Sequence, residues 1–290
     1  MKRLIVNADD FGLTRGVTRA IAEAHQHGVV TSATLMAGGP AFDEAVALAR
    51  SLPRLSVGCH VDLIQLAPIS LPAQIPTLAD GTNFRPGFAR FARAALSNRL
   101  SAEEISTEAA AQMHRLQSAG LALTHFDTHK HTHMFPQVLR PLLQAAKQCG
   151  IRAVRNPFEP KAVVGLSDVS SHPKLLSRYC AVRALRSMAS KFRRMVEAEG
   201  MVTTDGTVGI VFTGFLNEQR LATLIHHIPE GTWELVTHPG YSDAALRPLS
   251  RLTASREREL ELLTSAKNRE LLEESGVELI SYQNLLIGKP

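Results

Sequence analysis

Carboxylates, imidazoles and one guanidinium gather at five places in the chain, each in or at the end of a short apolar run. The first is Asn7-Ala8-Asp9-Asp10-Phe11-Gly12, and the second is His60 within Gly58-Cys59-His60-Val61-Asp62-Leu63. The third is the run Thr124-His125-Phe126-Asp127-Thr128-His129-Lys130-His131-Thr132-His133. Arg155 closes the fourth, and His238 precedes Pro239-Gly240 in the fifth. Asp and His together suit a divalent ion held by oxygen and nitrogen, with positions left open for water and substrate. Such an ion lowers the pKa of bound water and polarises a carbonyl, so this residue set predicts metal-assisted hydrolysis. A nearby carboxylate would take the water's proton, and a histidine would return one to the leaving group.

Each feature also has a bland explanation. Neighbouring strand residues point to opposite faces, so Asp9 and Asp10 should have different jobs. One would bind a metal, and the other, turned past the strand end, would act as a base. The same dipeptide fits a helix N-cap and a solvated turn before Thr14. At period 2, His125, Asp127, His129, His131 and His133 would share one face of an extended segment. At roughly 3.3 Å per residue they cannot all reach one ion. Two or three would do so, and the rest would brace the ligands, touch substrate or hold a second ion. A surface histidine cluster is the alternative. His60 alone fits a satisfied core histidine equally well, and His238 is as ambiguous. Cys59 reads as a buried small hydrophobe. His25, His27, His114, His172, His226 and His227 fall in helical or loop stretches and read as surface or structural.

For the five groups to meet, the strands carrying them must end on one rim. Candidate strands are Arg3–Ala8, Ser32–Met36, Ser56–Leu63, Ala122–Asp127, Ile151–Arg155, Val208–Thr213, Glu234–Thr237 and Val277–Ser281, rich in Val, Ile and Thr. Between them the spacing predicts helices over Thr14–Gln26, Ala41–Ser51, Ala102–Gln117 (capped by Ser101), Pro136–Gln148 and Ala254–Glu274. This alternation predicts a single-domain α/β chain over 1–290. The expected fold is a TIM-like (β/α) barrel of about seven to eight strands, complete, incomplete or distorted, with an open doubly wound sheet as the second arrangement. Barrel strands converge at their C-terminal ends, where active sites are built. A Pro- and Gly-punctuated excursion near 67–99 should cross one face. The stretch 174–197 has no acidic residue between Asp168 and Glu197 and reads as a basic amphipathic helix.

Composition narrows the function further. With 290 residues, 44% hydrophobic and 20% charged, the chain can bury a sizeable core. It has no apolar run of transmembrane length. The N-terminus turns acidic at once, without an export signal, so the chain is expected in the cytoplasm. Cys59, Cys149 and Cys180 are odd in number and widely spaced, against a disulfide scaffold or a cysteine zinc site. A net charge of +5 and 5% aromatics argue against nucleic acid as a partner. Gly38-Gly39-Pro40 lacks the spacing of a phosphate loop, and there is no Gly-x-Ser-x-Gly elbow.

At these residues the sequence resembles the YdjC-like family of carbohydrate deacetylases, which includes chitooligosaccharide deacetylases. The likeness rests on Asn7–Gly12, Gly58-Cys59-His60, the run from Thr124 through His133 to Met134-Phe135-Pro136, and His238-Pro239, in order over nearly the whole chain. The resemblance implies a (β/α) barrel, one divalent ion and removal of acetyl groups from N-acetylated amino sugars. It leans to Mg, while the ligand chemistry leans to Zn and also accepts Mn, Co or Ni. It implies Asp10, His60 and His129 as metal ligands, Asp9 as general base, His238 as general acid and Arg155 as an orienter. Asn7, His125, Asp127 and His131 would brace the ligands or contact substrate. The chain is most similar to the hopanoid-associated HpnK branch, through the stretch from Gly38 to Arg50 and the pattern from Gly276 to Tyr282. That branch implies N-acetylglucosamine on a bacteriohopane polyol lipid; a chitooligosaccharide is the other substrate. Cys59 stands where relatives carry an aliphatic residue, and Lys130 where another His is common, which disfavours an extra ion there. A glycolipid substrate would give the basic helix a purpose, docking on anionic headgroups at the inner membrane face, where each cation contributes about 1 kcal/mol. A solvated face over a packed apolar stripe is the plainer reading, and a homodimer is compatible with either. Two other functions fit the residues: a two-ion hydrolase of phosphate esters or another amide, and a non-catalytic metal- or sugar-binding module.

Overall fold

The computed structural model describes residues 1–161, 163–170 and 172–287. Its strands are β1 (Lys2–Phe11), β2 (Ser32–Leu35), β3 (Ser56–Val61), β4 (Ala79–Asp80), β5 (Asn83–Phe84), β6 (His125–Thr128), β7 (Ala153–Val154), β8 (Val202–Thr203), β9 (Gly206–Val208), β10 (Gly231–Thr237) and β11 (Val277–Ile280). The main sheet runs β8-β7-β6-β3-β2-β1-β10-β9, and all of its pairings are parallel. The two ends of that row, β8 and β9, are consecutive in the chain and separated only by Thr204 and Asp205. The sheet therefore comes nearly round on itself as a (β/α) barrel, and the Asn156 amide ties the corner by donating to the Thr204 carbonyl at 3.1 Å. The segment Val202–Thr203 is too short to carry a strand pattern, and the strand expected over Val208–Thr213 lies instead at Gly206–Val208, with bends and turns over 209–213. β11 lies outside this circuit, beside Lys2–Ile5 of β1, while β2 takes the same side of β1 from Asn7 onward.

Side-chain alternation along β1 explains how the interior is built. Leu4, Val6 and Ala8 join the core shared with the surrounding helices, whereas Ile5 joins a separate cluster with Ala153, Ile280, Tyr282 and Leu285. That cluster plugs one end of the barrel. Above it the interior turns polar: Asn7, His125 and Glu234 are fully buried, followed by Asp9, Thr34, His60, Asp127 and Arg155. A barrel of this class is ordinarily filled by branched apolar side chains, so a polar stack rising to one rim marks where function sits. Gly58 is part of this stack. A Cβ there would stand 2.6 Å from the His125 ring, which fills the space and stacks on Tyr282 with centroids 3.7 Å apart.

The outer helices are α1 (Arg15–Gln26), α2 (Phe42–Ser51), α3 (Phe88–Leu96), α4 (Ala102–Ser118), α5 (Pro136–Gln148), α6 (Pro173–Leu185), α7 (Ala189–Ala198), α8 (Glu218–His227), α9 (Ala254–Thr264), α10 (Ala266–Glu274) and α11 (Tyr282–Ile287). Thr14 caps α1 by accepting from the Val17 amide, and Ser101 caps α4 by accepting from the Glu104 amide. The helix expected over Ala254–Glu274 is two helices, broken where Ser265 adopts an extended backbone. The excursion after β3 holds the β4–β5 hairpin and α3. Its base is fixed by buried Glu108, whose carboxylate accepts from the amides of Ile69 and Ser70.

The basic stretch is also two helices, α6 and α7, joined by a 3-10 turn at Arg186–Met188. Several of its cations point inward. Arg178 donates to the carbonyls of Val211 and Thr213, Arg183 to Lys161, Arg186 to Glu159, and Arg193 to Asp205. Lys174, Lys191 and Arg194 remain exposed. Among the described residues no helix is long and apolar enough to cross a membrane.

Candidate active site and metal centre

Two adjacent carboxylates reach one site because β1 is irregular there. The strand does not stop at Ala8 but continues to Phe11, and its register with β2 shifts between Ala8 and Phe11. Asp10 sits within that shift at φ 68°, in the left-handed region that non-glycine residues rarely enter. The bulge turns Asp10 toward the rim beside Asp9 instead of to the opposite face.

The histidine run departs from a common extended face. The strand ends at Thr128, and His129–Met134 form a 3-10 turn in which Lys130 and His131 have φ values of 55° and 54°. The five residues therefore separate. His125 lies below the site, with Nε2 at 3.2 Å from Asn7 Oδ1, and Asp127 meets His60. His129 reaches Asp10, while His133 is tied to Thr128 and the Arg155 carbonyl. His131 is half-buried, with its Nδ1 enclosed and lacking a hydrogen-bond partner among the described residues. Burial, with Arg155 nearby, pushes its pKa down to about 3, so it is neutral.

Three atoms converge at the rim. His60 Nε2 and His129 Nδ1 lie 3.5 and 3.3 Å from Asp10 Oδ1 and 3.3 Å from one another. The hydrogen-bond partners of the two rings settle which nitrogens carry protons. Asp127 Oδ1, which only accepts, is 2.6 Å from His60 Nδ1, so the proton is there and the Nε2 lone pair faces the convergence. The Gln65 amide donates through Nε2 to the Leu249 carbonyl at 2.8 Å, which leaves Oε1 to accept from His129 Nε2 at 3.0 Å. His129 Nδ1 therefore also presents a lone pair. Among the described residues, buried Asp10 Oδ1 faces only these ring nitrogens. Three electron-pair donors in mutual contact need a cation between them. Tetrahedral coordination at about 2.1 Å separates ligand atoms by about 3.4 Å, which the spacing here matches. The residues present fit one divalent ion.

Without an ion, a proton meets the same need. Burial works against the charged form of His60, but Asp127, and then Asp9 and Asp10, outweigh it and raise its pKa to about 9. Asp10 is held well below the usual carboxylate range because Arg256 and His129 overcome the penalty of burial. Arg256 on α9 is itself buried and holds Asp10 Oδ2 at 2.5 Å.

Asp9 occupies a different environment. Arg155 grips both of its oxygens, Nη1 to Oδ2 at 2.8 Å and Nη2 to Oδ1 at 2.6 Å. Asn7 donates to Oδ1 at 2.9 Å. Despite burial, these contacts keep Asp9 ionised far below its ordinary pKa. The same guanidinium reaches Asp127 Oδ2 at 2.5 Å and Glu234 Oε1 at 2.6 Å. Asp9, His60 and Asp127 also form a cluster of ligand-type groups, but Arg155 already supplies the positive charge among its carboxylates. His238, just past β10, places Nε2 3.9 Å from Asp9 Oδ2, and its backbone amide donates to Glu259. Burial lowers its pKa against the pull of Glu259 and Asp9, so its resting form is neutral.

The sequence pointed to ten site residues; it did not point to Thr34, Gln65, Glu234, Arg256, Glu259 or Tyr282. The Thr34 hydroxyl lies within 3.4 Å of Asp9, His60 and Asp127. A polar residue alternating into the apolar β2 was its one available signal. Arg256 lay hidden among 32 lysines and arginines on an ordinary amphipathic pattern.

The chain as a whole is similar to known proteins. A carbohydrate deacetylase from Brevibacillus brevis is 32% identical over 285 residues, 98% of this chain and 99% of the relative. A chitooligosaccharide deacetylase from Salmonella paratyphi B is 34% identical over 283 residues, 97% of this chain and 98% of the relative. Among solved structures, a proposed cellobiose-phosphate cleavage protein from Enterococcus faecalis superposes with a TM-score of 0.76 at 28% identity, covering 98% of each chain. The lactam utilization protein of Thermus thermophilus shares the fold at a TM-score of 0.51 and 16% identity, covering 96% of this chain and 99% of its own. A profile of the YdjC-like protein family matches residues 3–274, and the chain belongs to that family.

Proposed function

We propose that this protein is a metal-dependent carbohydrate N-deacetylase that hydrolyses the acetamide of an N-acetylated amino sugar to acetate and a free amine. The observation that carries this reading is the convergence of the Asp10, His60 and His129 lone pairs beside an Asp9 carboxylate held ionised by Arg155. The relatives described as carbohydrate and chitooligosaccharide deacetylases support the reaction class.

In this reading Asp10, His60 and His129 would hold one divalent ion, Mg or Zn, which supplies Lewis acidity toward the acetamide carbonyl and lowers the pKa of a water. Asp9 accepts that water's proton, and Asn7, Thr34 and Arg155 keep its carboxylate in place. The hydroxide oxygen bonds to the carbonyl carbon and the carbon–nitrogen bond breaks. His238 gives a proton to the departing nitrogen. Its Nε2 lies 3.9 Å from Asp9 Oδ2, so the proton that Asp9 takes would reach it through one water. Asp127 and Gln65 fix the ring tautomers, and Asn7 and His125 brace Asp9 from below.

One ion rather than two favours amide hydrolysis over the two-ion phosphate-ester alternative, because Arg155 stands where a second cation would be needed. The test is an acetate-release screen over chitobiose, longer N-acetylglucosamine oligomers and acetylated glycolipids, with metals restored after chelation. Acetate release with one bound ion per chain is expected. No acetate from any acetylated sugar, or two ions with phosphate release, would overturn the reading.

The resemblance to the hopanoid-associated branch makes N-acetylglucosamine on a hopanoid glycolipid part of this proposal, with docking at the inner face of the membrane through the cations that α6 and α7 leave exposed. Reversing Lys174, Lys191 and Arg194 to glutamate should then weaken binding to anionic liposomes at low salt by on the order of 100-fold, about 1 kcal/mol per cation. Wild-type protein that ignores such liposomes ends the docking proposal and leaves a soluble chitooligosaccharide as substrate.

A further inference from the structure

We propose that Gln65 is a positioning residue for the metal centre, which sets the tautomer of His129 and ties that choice to the loop between β10 and α9. This inference rests on the metal reading above but not on the identity of the substrate. Gln65 is the only described hydrogen-bond partner of His129 Nε2, and its amide cannot be turned round without opposing its oxygen to the Leu249 carbonyl. The loop that carries Gln65 is unusually well fixed. Asp62 accepts from the amides of Ile64, Gln65 and Leu66 at 2.9, 3.1 and 2.6 Å. Gln112 holds Asp62 in turn, accepting from its amide and donating to its carbonyl at 2.9 and 2.6 Å.

The far partner matters as well. Leu249 belongs to the segment that continues into Ser250 and Arg256, and Arg256 Nη2 contacts both Ser250 Oγ at 3.3 Å and Asp10 Oδ2 at 2.5 Å. One loop thus orients two ligands, Asp10 through Arg256 and His129 through Gln65. A histidine ligand whose outer nitrogen loses its acceptor is free to rotate and to protonate Nδ1, which removes the lone pair from the ion. Loss of such a partner costs about 10–100-fold in metal affinity.

The test is Co2+ binding, followed by its visible absorption and by competition with a chromophoric chelator, for wild type, Gln65→Leu and Gln65→Glu. Gln65→Leu should bind Co2+ about 10–100-fold more weakly with an altered absorption band. Its melting temperature in chelator should match wild type. Gln65→Glu keeps an acceptor for His129 while losing the donor to Leu249, and should recover the wild-type spectrum and most of the affinity. Wild-type affinity and spectrum in Gln65→Leu would overturn the inference while leaving the metal reading intact. Equal loss in both variants would also overturn it, because an acceptor at His129 Nε2 would then not set the ligand. A wild-type protein that binds no Co2+ removes the metal reading itself.

Discussion

Replacing His60 with alanine should lower kcat/KM for acetate release by at least about 10³-fold, the equivalent of about 4 kcal/mol of transition-state stabilisation. The chain should stay folded. His60 contributes the nitrogen that meets both Asp10 and His129, and no neighbouring side chain can replace it. The pH dependence gives a second readout. In metal-free protein the pKa of His60 is raised to about 9, because Asp127, Asp9 and Asp10 overcome burial. An ion must displace that proton, so apparent metal affinity should climb about tenfold per pH unit from pH 7 and level off above 9. Stability of the metal-free protein follows the opposite course. A raised folded-state pKa contributes stability that is fully present below the unfolded value near 6.5 and is lost as pH rises through about 9. The chelated wild type should therefore melt at lower temperature at pH 10 than at pH 6, and His60→Ala should lose this dependence. Wild-type turnover in His60→Ala would remove the residue from the centre.

What the sequence could and could not reveal has a physical pattern. Strand and helix periodicity exposed the barrel because β1, β3 and β10 are short buried runs set between longer stretches such as α1 and α5, whose apolar residues fall on one buried face. The site residues on strand ends were legible because Asp and His in apolar runs are conspicuous. Two local backbone departures were not. The left-handed Asp10 brings both acids to one side, and the left-handed Lys130 and His131 break the two-residue period of the histidine run. Neither position carries glycine, the residue that ordinarily signals such a conformation. Supporting residues were also invisible, since Gln65 and Arg256 acquire their roles only from contacts across 64 and 246 positions of the chain. The basic segment shows the converse. Its charge pattern suggested an outward face, yet most of its arginines bind loop carbonyls.

Arg155→Met should be the most destabilising single change at the site. The guanidinium is fully buried and bonded to Asp9, Asp127 and Glu234. Methionine keeps most of the volume but leaves three buried carboxylates facing one another without a guanidinium, supported by the neutral donors Asn7 and Thr34, the His60 contact to Asp127 and the Tyr282 hydroxyl at Glu234. Breaking a buried ion pair costs about 3–5 kcal/mol, a large share of the roughly 5–15 kcal/mol that stabilises a typical domain. The sign of the pH dependence should invert. In wild type, Asp9 has a depressed pKa, so its contribution is present above the unfolded value near 4 and is lost as pH falls. In the variant, burial and the facing carboxylates Asp127 and Glu234 outweigh the remaining contacts from Asn7 and Thr34 and lift the Asp9 pKa. Stability is then greater when the carboxyl is protonated, and it rises as pH is lowered from 7 to 5. Urea unfolding at both pH values reads this directly, and a variant as stable as wild type at pH 7 would refute it. Arg155→Lys separates charge from geometry. It retains a cation and should fold, but an ammonium cannot grip both Asp9 oxygens in the fork that now fixes the carboxylate. Its stability should lie near wild type, while turnover drops because the base is no longer aimed. If lysine restored stability and turnover together, Arg155 would be supplying charge alone.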